Sequence, residues 1–207
     1  MNTICVFGDS IVYGESDMLL GGWVARLRKY IEENTAEDWI KIYNLGIHGD
    51  TTTGLLKRFK VEAEAREPDL IIFGIGINDS VYRGSLDNNE TPKEKFRDNL
   101  QILIKEARVF TNNIFFVGLT KVEELKTQPL DGSLTGKSYS NTLIQKYNSD
   151  IELLCEKENL FFIEIFNLFD KEDLDDGLHL NAQGHQKIFE SVRDFLMINK
   201  ILNLRIP

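Results

Sequence analysis

Short runs of β-branched and aromatic residues recur along this chain, each followed by a longer amphipathic stretch, and that alternation restricts the fold more than any other feature. Thr3–Phe7, Ile40–Leu45, Leu70–Gly74, Asn113–Leu119 and Leu160–Ile165 read as strands. Between them, apolar residues at helical spacing, as in Phe96, Leu100, Leu103, Ile104 and Ala107, predict helices that bury one stripe. Thr91-Pro92-Lys93-Glu94 supplies the start signal for that helix: a threonine cap, a first-turn proline and a glutamate three residues on. The last helix is predicted to begin after Asn181 and to bury Ile188, Val192, Phe195 and Leu196. Strands that alternate with helices pair in parallel, and right-handed crossovers place the helices on both faces. The expected fold is therefore an α/β class, three-layer α/β/α sandwich around a five-stranded parallel sheet. The 207 residues fit one domain, 1–207, and folding at this size buries roughly 70% of the surface an unfolded chain exposes.

Charge and cysteine usage narrow the partners. The net charge is -9, from 24 basic and 33 acidic residues, which opposes a phosphate backbone because such binding needs clustered Lys and Arg to displace counterions. No nucleic-acid partner is expected. No basic segment followed by a hydrophobic stretch opens the sequence, and no apolar run approaches a membrane span. The expectation is a cytoplasmic protein without integral membrane association. The two cysteines, Cys5 and Cys155, form no CxxC pattern and read as small buried apolar residues rather than as a disulfide.

In α/β sheets of this kind ligands sit beyond the carboxyl ends of the strands, so chemistry is sought there. The first strand runs into Gly8-Asp9-Ser10, which places the Ser10 hydroxyl at that edge, with Gly8 and Gly14 relaxing the backbone around it. The second strand leads to Gly46-Ile47-His48-Gly49-Asp50-Thr51, and the third to Gly74-Ile75-Gly76-Ile77-Asn78-Asp79. Taken singly, Ser10 is a cap, Gly49 a turn and Asn78 a local cap. Together they offer three donors to one oxygen: the Ser10 and Gly49 N–H groups and the Asn78 side-chain amide. Acyl transfer requires such an array, since negative charge grows on the carbonyl oxygen in its transition state. Near the C-terminus stands Asp175-Asp176-Gly177-Leu178-His179. Side chains three apart in a turn can meet, so Asp176 reaches Nδ1 of His179 and leaves Nε2 facing Ser10.

With these blocks in this order, the sequence resembles the GDSL, or SGNH, hydrolase family of esterases and lipases. The resemblance runs from residue 8 to the last helix and rests on Ser10 in GDSI, Gly49 in GIHGDT, Asn78 in GIND and His179 in DGLH, with Asp176 three residues before the histidine. Ile11 stands where the name-giving motif has leucine, a swap of similar volume. The resemblance implies a flavodoxin-like fold and ester hydrolysis through an acyl-enzyme on Ser10, with no metal and no cofactor. It further implies His179 as general base and acid, Asp176 as its orienting partner, and an oxyanion hole of Ser10, Gly49 and Asn78. Activity is expected to rise through about pH 6 to 8 as His179 deprotonates. The expected partner is a small-molecule ester, either a small or acetyl ester or a lysophospholipid-like lipid.

Two rival readings remain at this point. A metal-dependent phosphoesterase also presents Asp, Asn and His at strand ends, although two-metal sites draw on more ligands and an early Asp-x-His is absent. A domain of the same fold that binds an acylated or sugar ligand without turnover is the other, since fold does not fix function. Asp9 and Asp79 are expected to cap or brace loops. His48 lines the pocket or is a plain loop residue, and His185 has no acid partner at comparable spacing. The segments 80–90 and 121–141 carry no obvious structure and read as lids, binding loops or surface excursions; Tyr82, Arg83, Lys137 and Tyr139 are their candidate substrate contacts. The C-terminal "MINKILNLRIP" is apolar enough to pack back on the domain or to form a homodimer contact.

Overall fold

Strand β1 (Thr3–Gly8) is buried on both faces, with Ile4, Cys5, Val6 and Phe7 fully shielded. That is why its sequence is continuously apolar rather than alternating, as a central parallel strand requires. The computed structural model describes residues 2–34 and 40–201. After β1 come α1 (Ser10–Tyr13), α2 (Gly22–Asn34), β2 (Lys41–Gly46), α3 (Thr52–Glu64) and β3 (Leu70–Gly74). A small hairpin, β4 (Tyr82–Arg83) and β5 (Ser85–Asn89), precedes α4 (Lys93–Ala107) and β6 (Ile114–Val117). The chain ends with α5 (Glu124–Thr127), α6 (Asn141–Glu158), β7 (Phe161–Ile163) and α7 (Ala182–Ile198).

The sheet order is β2-β1-β3-β6-β7, all parallel, the doubly wound order of flavodoxin-like folds. Helix α2 packs against α7, while α3 packs on α4 and α4 on α6, giving the expected three layers. Phe7, Phe59, Phe73 and Phe116 stack in sequence beneath one face, with ring centroids 4.9 to 5.6 Å apart for Phe7–Phe59, Phe59–Phe73 and Phe73–Phe116. Burying each such side chain is worth about 1.5–3 kcal/mol. Cys5 and Cys155 are free and buried, and burial pushes both thiols up to about 12, so neither is reactive at neutral pH.

Four expectations change in detail. The last strand stops at Ile163, because residues 164–168 bend away, with the Glu164 side chain accepting the Phe166 N–H. Thr91 does not cap α4: the helix begins one residue later, with Pro92 at the cap position and no side-chain cap bond. Thr91 is instead buried, its N–H bonded to the Asp79 carbonyl and its own carbonyl to the Tyr147 hydroxyl. Segment 80–90 is the β4–β5 hairpin, and segment 121–141 holds α5 and a bridge from Ser138 to Tyr82. Of the C-terminal tail, Ile201 packs partly against the core, and residues 202–207 lie outside the described ones.

Candidate active site

Parallel register sets the site. Gly8 of β1 lies opposite Gly46 of β2 and Gly74 of β3, so the three following loops leave the sheet at one edge. Gly8 must be glycine, because a Cβ there would overlap the Gly74 carbonyl. Asp9 then caps α1 by accepting the Ile11 N–H at 2.9 Å, and Ser10 opens that helix, 5% exposed. As the first helical residue, Ser10 has an N–H with no partner inside its helix.

The Ser10 Oγ lies 3.0 Å from Nε2 of His179, and His179 Nδ1 lies 2.7 Å from Asp176 Oδ2. The other carboxylate oxygen of Asp176 accepts the backbone N–H groups of Leu178 and His179 at 2.9 and 2.7 Å. Those bonds fix the turn, which is closed by Asp175 N–H to His179 C=O and by a Leu174–Leu180 bridge before Asn181 caps α7. A carboxylate can only accept, so neutral His179 carries its proton on Nδ1 and turns a lone pair toward the serine. Burial opposes charge on both partners. Their mutual hydrogen bond outweighs it, and holds Asp176 well below the ordinary carboxylate range and His179 above the ordinary imidazole value.

The remaining two residues named from sequence lie close by. The turn after β2 is tied to β1 by Ile47 N–H to Gly8 C=O at 3.0 Å and closed by Asp50 N–H to Ile47 C=O at 3.1 Å. Within it Gly49 has φ +70° with open space at its Cβ position, so its glycine is required by conformation and not by crowding. Neither the Ser10 nor the Gly49 N–H donates to a protein acceptor among the described residues. Asn78 Nδ2 donates to the Asp50 carbonyl at 3.0 Å, and its Oδ1 accepts the Tyr139 hydroxyl at 2.9 Å. The structure thus gathers Ser10, Gly49, Asn78, Asp176 and His179 at one edge of the sheet.

Acids brace this edge. Asp79 accepts the Thr52 N–H and hydroxyl, and burial raises it to about 6. Asp9, fully buried beside Ser10, is raised to about 7 by burial, partly offset by the Ile11 N–H and the His179 charge. Asp50 binds Arg58 through two bonds of 2.9 and 2.8 Å, and Arg58 also reaches the Gly8 carbonyl. His48 is exposed at the rim, 3.2 Å from Glu15 and against the Tyr13 ring. His185 is buried, donating from Nε2 to the Glu15 carbonyl.

Of the four loop residues named as substrate contacts, Arg83 pairs with Glu90, the Tyr82 backbone pairs with Ser138 across the two segments, and the Lys137 backbone pairs with Leu130 and Ser133 within its own. Tyr139 is buried, so it braces Asn78 instead of meeting a substrate. Sequence reasoning missed that role and the Arg58 clamp. Arg58 also pairs with Glu62 one turn on, so its helical spacing points to that partner and not to Asp50, and nothing local marks Tyr139. Among the described residues no cluster of three or more His, Cys, Asp or Glu is arranged to hold a metal, and no helix is long and apolar enough to cross a membrane.

Comparison with known proteins identifies the family and the fold. Residues 6–187 match the GDSL-like lipase/acylhydrolase family. A multidomain esterase of Ruminococcus flavefaciens is 28% identical over 172 residues, covering 82% of this chain but 18% of the relative's length. A GDSL esterase/lipase of Arabidopsis thaliana is 26% identical across 87% of this chain and 73% of its own. Among solved structures, a lipase/acylhydrolase from Enterococcus faecalis superposes with a TM-score of 0.77 at 22% identity, covering 95% of each chain. An acetylxylan esterase from Geobacillus stearothermophilus gives 0.72 at 19% identity, covering 95% of this chain and 93% of its own. At these identities the two structures establish the fold.

Proposed function

Because the chain belongs to the GDSL-like lipase/acylhydrolase family and is a carboxylic ester hydrolase, we propose that it works through an acyl-enzyme on Ser10. The observation that carries this reading is the unbroken chain of contacts from Asp176 through His179 to Ser10, 2.7 and 3.0 Å long. Ser10 Oγ attacks the ester carbonyl carbon as its proton passes to His179 Nε2, while Asp176 stabilises the resulting imidazolium. The carbonyl oxygen takes up the negative charge beside the Ser10 and Gly49 N–H groups and the Asn78 amide. Collapse of this adduct expels the alcohol, which leaves with the proton from His179. A water then gives a proton to the same nitrogen as it attacks the acyl-serine, and on collapse His179 returns that proton to Ser10 Oγ while the carboxylic acid leaves.

The acyl group we propose is small, of the acetyl class. The acetylxylan esterase of the same fold supports the choice. A p-nitrophenyl ester series from acetate to palmitate, with wild type and Ser10→Ala, with and without EDTA, tests it. Turnover that needs Ser10, ignores EDTA and peaks at acetate or propionate is expected. An optimum at long chains replaces the acetyl class with a lysophospholipid-like lipid, loss with EDTA moves the chemistry to a metal, and no turnover leaves a binding domain.

A further inference from the structure

The 121–141 segment, which from sequence alone selects substrates or merely covers surface, reaches into the site at one point. Its Tyr139 is 2% exposed, and the hydroxyl lies 2.9 Å from Oδ1 of Asn78. Tyr139 is itself tied down: its N–H donates to the Thr127 carbonyl at 2.9 Å, and its carbonyl accepts Gln128 Nε2 at 2.9 Å. Resting on the reading that Asn78 donates to the oxyanion, we propose that Tyr139 is a positioning residue, deciding which end of the Asn78 amide faces the substrate.

A primary amide has one acceptor and two donor hydrogens on a planar group, and rotation about its last torsion is broad and nearly two-fold. At Asn78 the Asp50 carbonyl can only accept, so it takes one N–H. The opposite corner, Oδ1, faces the Tyr139 hydroxyl, which must therefore donate. Burial raises the Tyr139 phenol above its ordinary value, with the Asp9 and Asp176 charges adding to it, and keeps it a donor. With two corners pinned, the second N–H has one direction left. Without the hydroxyl one of the two pins is lost, and only the Asp50 carbonyl still opposes the turn that presents Oδ1 to the developing negative charge and converts attraction into repulsion. A bond from Glu123 N–H to the Gly177 carbonyl joins the same segment to the His179 turn, so 121–141 touches both halves of the site.

The test is a double-mutant cycle on acetyl ester hydrolysis with Tyr139→Phe and Asn78→Ala. Tyr139→Phe is expected to lower kcat by about 10-fold to 100-fold with KM within about twofold, and to have no further effect, within about twofold, once Asn78 is alanine. Replacing Tyr139 by 4-aminophenylalanine, which keeps a donor, is expected to recover most of kcat. Losses that multiply in the cycle, an unchanged kcat, or a change confined to KM overturn the proposal. A readout independent of turnover is the Asn78 side-chain amide, identified in 15N–1H spectra by its loss in Asn78→Ala: its proton bonded to the Asp50 carbonyl should be protected from exchange in wild type and less protected in Tyr139→Phe, and equal protection in both overturns the proposal. Two rapidly exchanging protons overturn it. If wild type turns over no ester while that proton is protected, the hydrolase reading fails and the pinned amide stands.

Discussion

The base half of the site and its donor half are built in opposite ways. Asp176 and His179 lie three residues apart in one turn, and the aspartate that orients the imidazole also accepts two backbone N–H groups of that turn. The donor half draws on the start of α1, the turn after β2, the loop after β3 and Tyr139 some sixty positions away in sequence. The base half therefore keeps its geometry wherever the turn forms, while the donor half exists only when four segments are packed together. Damage to the first should change chemistry alone, and damage to the second should change chemistry and coupling between segments.

The largest effect expected is for Ser10→Ala, which removes the nucleophile shared by both halves and should lower kcat/KM by about 10⁴-fold or more, measured with an acetyl ester. Residual activity within tenfold of wild type would end the comparison, since neither half would then serve a serine nucleophile. Next comes Asp176→Asn, expected to cost up to about 10⁴-fold in kcat through loss of the tautomer and of the stabilised imidazolium. Its pH profile is the sharper readout. Wild-type activity rises as His179 loses its proton, and the partnership with Asp176 places that step above the ordinary imidazole value. The ascending limb of Asp176→Asn should therefore move to lower pH even as the plateau falls. A limb that stays in place would separate His179 from the rate.

Asn78→Ala should cost about 100-fold to 1000-fold in kcat, less than loss of Asp176, with the pH limb unmoved because no titrating partner of His179 is touched. A shifted limb would show the two halves to be electrically one. The smallest effect on catalysis, and one read on stability, is at Asp9. Its carboxyl ionises near 3.8 when unfolded and about 7 when folded, so between those values the unfolded chain binds fewer protons and stability falls as pH rises. Asp9→Asn keeps an acceptor for the Ile11 N–H and removes that penalty, which is at most about 4 kcal/mol at 1.36 kcal/mol per pH unit. Its melting temperature relative to wild type should increase from pH 5 to pH 8. A difference constant with pH would show Asp9 to be ionised throughout.

How much of this was legible follows the same division. The strands were readable because β1, β3 and β6 are continuously apolar, buried on both faces. Their ends were less so: β7 stops at Ile163, where the Glu164 side chain accepts the N–H of Phe166 and the side-chain amide of Asn148, the second a partner sixteen residues back. Thr91 carries a strong capping pattern, yet it is buried with its N–H on the Asp79 carbonyl and its carbonyl on the Tyr147 hydroxyl, and these distant partners hold it outside the helix start. Segment 80–90 looked structureless since β5 is polar and mostly exposed; its pairing with β4 and the Tyr82–Ser138 bridge hold it instead.

By itself the sequence determined the parallel α/β order and the sheet edge to search, and made Ser10, Gly49, Asn78, Asp176 and His179 the candidates there, because strand periodicity and turn chemistry act over a few residues. Tertiary structure decided what those residues can do to one another. The 3.0 Å between Ser10 and His179, the raised acid at Asp9, the Arg58 grip on Asp50 and the Tyr139 hold on Asn78 all depend on burial and on groups distant along the chain. Desolvation and hydrogen-bond direction are properties of packed neighbours, and no short stretch of residues encodes them.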